Sequence, residues 1–144
     1  MRTPPHASLY ARAALLLCML VAVTACASAG GKGDALQRVQ YAYSAAIRWG
    51  DFETAWNMVE PAYREKHPMT DVQLERYRQI QVSHYRDISA QAGEGTAVRE
   101  IDIGVINRHT MAERSLRYQE AWRYDAESRA WVLTSGLPDF WRGE

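Results

Sequence analysis

The sequence predicts an α+β domain in which N-terminal helices pack on one face of a curved, four-stranded antiparallel sheet. Three observations predict it. Apolar residues recur at the three-and-four spacing of a helix as far as Arg78, and from Ile80 the period shortens to strict alternation. Turn chemistry at "GEG", "NRHT" and "DAES" then cuts the alternating half into consecutive strands.

Asp34 reads as the N-cap of the first helix, with Gln37 in capping-box position three residues on. Leu36, Val39, Tyr43, Ala46 and Ile47 form its apolar face; the helix ends near Trp49, where Gly50 is free to take a left-handed geometry. Asp51 caps a second helix whose inward residues are Phe52, Ala55, Trp56 and Val59, and Pro61 limits it. A polar, proline-bounded loop follows. "MTDVQL" is the next start signal: Thr70 caps, Gln73 completes a capping box, and a short helix runs over 71–78.

In the first strand Ile80, Val82, His84 and Ile88 share a face. In the second, Ala97, Arg99, Ile101, Ile103 and Val105 alternate with polar neighbours, and Gly104 in its interior predicts a bulge or bend. Leu116, Tyr118, Glu120, Trp122 and Tyr124 share one face of the third strand, and 131–134 form the fourth. The tail "GLPDFW" is apolar enough to dock. With neither an internal repeat nor a second domain in the pattern, residues 34–144 form a single domain.

The chain of 144 residues carries 17 basic and 17 acidic side chains, so no basic surplus argues for nucleic acid. Its N-terminus is organised differently. Arg2, His6 and Arg12 precede eleven apolar residues from Ala13 to Val23, after which come small residues around Cys26. A basic start, a short apolar run and a small-residue exit are the parts of a secretory signal. The run rises about 16 Å, roughly half of a hydrocarbon core, and is too short for a comfortable membrane span.

"VTAC" at 23–26 resembles the bacterial lipobox, an aliphatic residue and two small residues before a cysteine. The resemblance implies a signal peptide over 1–25, cleavage before Cys26, and diacylglyceryl modification and acylation of that cysteine. Cys18 then departs with the signal, and the mature chain holds no cysteine pair. A plain secretory signal cut near an Ala-x-Ala-like site is the alternative. Two or three acyl chains make a lasting anchor where one is marginal. Ala27, not Asp, follows the cysteine, which by the same resemblance directs the protein to the inner leaflet of the outer membrane, facing the periplasm. Residues 26–33, ending "ASAGGKG", read as a flexible tether.

The order of elements, together with "RWGDFETAW" at 48–56, resembles the nuclear transport factor 2-like superfamily. Its cone-shaped domains set helices against a strongly curved antiparallel sheet; a cystatin-like meander is the alternative architecture. The superfamily includes enzymes such as scytalone dehydratase and ketosteroid isomerase beside many non-catalytic binding domains, so the likeness leaves function open.

The residues themselves offer few catalytic signatures. His67, His84 and His109 lack metal-ligand spacing, and no metal or other cofactor is expected. Ser83 beside His84 points to the opposite face of a regular strand. His84 and Glu120, both in phase with apolar neighbours, are the candidate acid–base pair of a small isomerase- or dehydratase-like enzyme acting on a hydrophobic molecule. The plainer reading pairs Glu120 with a neighbouring arginine such as Arg86 or Arg99 and lets His84 satisfy a backbone group; Asp102, out of phase with Ile101 and Ile103, reads as solvated. The aromatic residues Tyr41, Tyr43, Trp49, Trp56, Trp122, Trp131 and Trp141 mainly fill a core, with Tyr43, Trp56, Tyr118 and Trp122 as candidate ligand- or partner-binding residues. Arg114, Arg117 and Arg123 read as a solvated, ion-paired strand face.

The expectation is therefore a membrane-anchored periplasmic lipoprotein whose non-catalytic domain binds an envelope protein or small ligand. The small enzyme, and an envelope assembly or immunity subunit, are the alternatives.

Overall fold

A computed structural model describes residues 31–142. The expected signal peptide, Cys26 and the start of the tether lie outside these residues. By its contacts the chain divides after Gln37 into two units. Residues 31–37 of the first are helical, so the helix already includes Gly31 and Gly33, which were expected to belong to the tether, and Asp34 lies within it. Adding a residue to a formed helix gains a hydrogen bond without a new nucleation cost, which offsets the roughly 1 kcal/mol that glycine loses.

The second unit, 38–144, is an α+β fold. Helix α1 (38–49) is followed by α2 (Phe52–Asn57), α3 (Pro61–Lys66) and α4 (Asp71–Arg78), then by strands β1 (Ile80–Ala92), β2 (Thr96–Asn107), β3 (Glu113–Asp125) and β4 (Ala130–Leu133). The strands form one open antiparallel sheet in the order β1-β2-β3-β4. No helix among the described residues is long and apolar enough to cross a membrane.

Local chemistry explains the helix ends. Gly50 takes φ +73° after α1, as a left-handed terminus requires. The Asp51 carboxylate accepts from Thr54 N at 3.1 Å to start α2. Thr70 and Gln73 form the reciprocal capping box that opens α4. Helix α3 occupies the expected polar loop: Pro61 begins it, because a first-turn residue needs no amide hydrogen and proline already holds a helical φ.

The sheet departs from regular alternation in β1. Val82 lies opposite Val105 and His84 opposite Gly104, which makes Ser83 an extra residue; Ile88 is a second, between Asp87 and Ser89. The bulges therefore lie in β1, while Gly104 across from the first is the residue that permits it. A Cβ at 104 would sit 2.2 Å from His84 Nδ1 and 2.4 Å from Ser83 Oγ. Each bulge shifts the alternation by one residue. Tyr85 is thereby turned inward and His84 outward, and Ile88, expected inside, is 44% exposed.

The core lies between the helices and the inner sheet face. Tyr43, Ile47, Phe52, Ala55 and Val59 are buried there with Ile101, Ile103, Val105, Trp122 and Leu133. Each large apolar side chain so buried contributes about 1.5–3 kcal/mol. The segment after α2 covers the β4 edge, with Glu60 N donating to Leu133 O at 2.8 Å and Leu133 N to Met58 O at 2.9 Å. The C-terminal tail docks as its composition predicts: Phe140 packs edge-on to Phe52 and Tyr77, and the Tyr77 hydroxyl donates to Pro138 O at 3.0 Å.

Candidate functional site

The third-strand phase places Tyr118, Glu120 and Trp122 on the inner face, and the register sets Arg99 of β2 opposite Glu120. Glu120 is 0% exposed. Its Oε2 accepts from Arg99 Nε at 3.1 Å, Arg99 Nη2 at 2.7 Å and Trp122 Nε1 at 2.9 Å, while Oε1 is buried without a partner among the described residues. Burial pushes the Glu120 carboxyl up to about 8; the Trp122 N–H opposes the rise, and so, by its position, does the Arg99 guanidinium. Arg99 also reaches Asp87 at 3.3 Å.

Tyr43 and Tyr118 complete this cluster, their hydroxyls 3.1 Å apart, and Tyr43 meets Trp122 edge-on at 5.5 Å. Tyr118 also contacts Ser135 Oγ and donates to Gly136 O. Burial raises both phenols, Tyr118 to about 12. Three of the four candidate aromatic residues thus converge, but on one another. Trp56 is elsewhere, half-buried and edge-on to Tyr63 at 6.2 Å. Five surface depressions of the described residues are lined by none of Glu120, Tyr43 and Trp122, while Tyr118 is in the lining of one of them.

His84 does not join them. The bulge at Ser83 turns its ring to the outer face, where Nε2 lies 3.0 Å from Asp102 Oδ2. His84 and Glu120, the candidate acid–base pair, therefore lie on opposite faces, because their shared phase assumed an unbroken period of two; Glu120 pairs with Arg99, as in the plainer reading. Asp102, expected to be solvated, is the partner of His84. Ser83 shares that outer face, and its hydroxyl donates to Glu113 Oε1 at 2.8 Å. Among the described residues no group of three His, Cys, Asp or Glu is placed to hold a metal ion.

A different surface stands out at the end of α1. Trp49 is 86% exposed, beside a depression of about 380 Å³ walled by Arg48, Trp49 and residues 82–86 of β1. A second depression, of about 320 Å³, shares Arg48, Trp49 and Val82 and extends to Gly50, Ile80, Gln81 and Arg108. Arg48 is held in place: Nη2 donates to Tyr85 O at 2.9 Å, and the guanidinium lies 5.5 Å from the centre of the Tyr85 ring. It thereby occupies a carbonyl of β1, the strand at one edge of the sheet.

Trp49 and Tyr41, two of the aromatic residues expected mainly to fill a core, are exposed. Helical phase separates them from it, since each is two positions, about 200°, from the buried Ile47 or Tyr43. That phase was available in the sequence. The groove was not, because the two β1 bulges and the Arg48 contact are tertiary features.

No protein-family model and no curated protein matches the chain. Among solved structures, it is similar to the solution structure of a SEC-C motif-containing protein from Rhodopseudomonas palustris, at 18% identity and a TM-score of 0.54. The match covers 71% of this chain and 74% of that one. At this identity the likeness is one of fold.

Proposed function

We propose that the chain is a lipoprotein of the bacterial cell envelope whose domain docks a partner protein through the surface around Trp49. Acylated Cys26 holds it to the inner leaflet of the outer membrane, facing the periplasm, and the domain acts by binding. The exposed Trp49 beside the immobilised Arg48 carries this reading. Tryptophan and arginine are the side chains most enriched at binding hot spots, where truncation costs about 2 kcal/mol or more. We place the fold with the nuclear transport factor 2-like cones; helices preceding a bulged antiparallel meander support that assignment. An envelope assembly or immunity subunit is a specific form of the same function. His84 and Glu120 lie on opposite faces of the sheet, which argues against an acid–base enzyme built on the two.

Two measurements test the proposal. A photo-crosslinking residue at position 49 in living cells is expected to trap a discrete protein adduct that the same residue at Val72, also exposed, does not. Equal adduct patterns at both positions would remove the docking surface. Cys26→Ser is expected to leave the protein unprocessed or released from membranes, whereas unchanged attachment with a mature N-terminus elsewhere would refute the anchor.

A further inference from the structure

Most strand-face arginines answer to carboxylates: Arg99 to Glu120 and Asp87, Arg117 to Glu100, and Arg123 to Glu60 and Asp125. The arginines around Trp49 differ. Arg48, Arg86 and Arg108 line the two joined depressions, and among the described residues none of them forms an ion pair. No Asp or Glu lines either depression. Asp102, opposite Arg86 in the register, gives its carboxylate to His84 instead. This positive groove is cut into a chain that carries 15 basic and 17 acidic residues after Cys26.

From this we infer, on the basis of the docking role proposed above, that the groove takes an acidic segment of the partner protein, one that sets Asp or Glu side chains beside an apolar residue. The carboxylates meet Arg48, Arg86 and Arg108, and the apolar residue lies against Trp49 and Val82. Guanidinium forks match carboxylates in two-pronged geometry and are less strongly hydrated than ammonium groups, so they lose less on desolvation. Arg48 is already fixed by the Tyr85 carbonyl and ring, which lowers the entropy lost on binding. An anionic membrane surface also attracts arginine and tryptophan. The depression of about 380 Å³, however, carries Trp49 and Val82 in its lining beside two of the arginines, and it offers an apolar side chain a place next to carboxylates, the pairing that such a segment supplies.

The test uses the detergent-solubilised full chain and three probes: a labelled peptide of alternating Glu and Leu, the same peptide with Gln for Glu, and vesicles of neutral or anionic phospholipid. The Glu peptide is expected to bind about tenfold or more tightly than the Gln peptide at low salt, with the difference shrinking as salt rises. The R86Q/R108Q double variant, altered only at exposed positions and checked by its thermal melt, is expected to abolish the difference. Equal binding of the two peptides, a preference that survives both substitutions, or binding to anionic vesicles without the peptide preference would each overturn the inference. The crosslink at position 49 separates this from the docking role. An adduct that persists in R86Q/R108Q retains docking and defeats the acidic segment; no adduct in the parent chain defeats both; loss confined to the double variant supports both.

Discussion

Glu120 is the residue at which burial and charge are most directly opposed. Three donors converge on one of its oxygens and the other has none among the described residues, within a site where burial has raised the carboxyl to about 8. A raised folded-state value means that folding favours the neutral acid. That contribution is fully present below the unfolded value of about 4.5 and is lost as pH climbs through about 8. Arg99 limits the loss by pairing with the ionised form. Arg99→Met is therefore expected to destabilise the domain by about 3–5 kcal/mol near pH 9 and by clearly less near pH 5, where protonation of Glu120 removes the stranded charge. Urea unfolding midpoints at the two pH values check this; an equal loss at both would mean that Arg99 contributes only packing. The pair was legible in the alternation, which sets 99 and 120 each in phase with apolar neighbours. Its burial was not, because burial depends on what α1 lays over it.

At the level of elements, α2 and α4 followed their caps and the strands followed their turns, whereas Asp34 lies inside a helix that starts earlier and α3 formed where a loop was expected. The capping box at Thr70 and Gln73 and the aspartate cap at Asp51 both formed as read, because capping is chemistry between near neighbours. Strand β1 did not hold its phase. Two inserted residues, Ser83 and Ile88, reversed the facing of everything between them, and nothing within β1 announced them. The signal lay across the ladder at Gly104, where His84 and Ser83 occupy the space of an absent Cβ. Gly104→Ala is expected to destabilise by about 1–3 kcal/mol by overpacking and to displace His84 from Asp102. A His84→Ala change in the same chain should recover part of that loss, and fully additive costs in a double-mutant cycle would show that the two residues do not compete for the site.

At the scale of the whole molecule, residues 138–141 pack onto the core. Phe140 is almost fully buried against Phe52 and Tyr77, and Arg114 bonds to its carbonyl oxygen. Phe140→Ala is expected to cost about 3–5 kcal/mol, since it removes a ring and leaves a cavity under α2 and α4; a thermal melt little changed from the parent would show that the tail is an accessory. By itself the sequence determined the α+β class, the identity and order of the strands, the starts of α2 and α4 and the inner residues of β2 and β3, because periodicity, caps and turns act over a few residues. Tertiary structure alone decided that His84 faces away from Glu120, and that Arg48 and Trp49 frame a groove whose arginines form no ion pair among the described residues. Those outcomes depend on register, on two inserted residues and on contacts between distant segments, which no local pattern of side chains encodes.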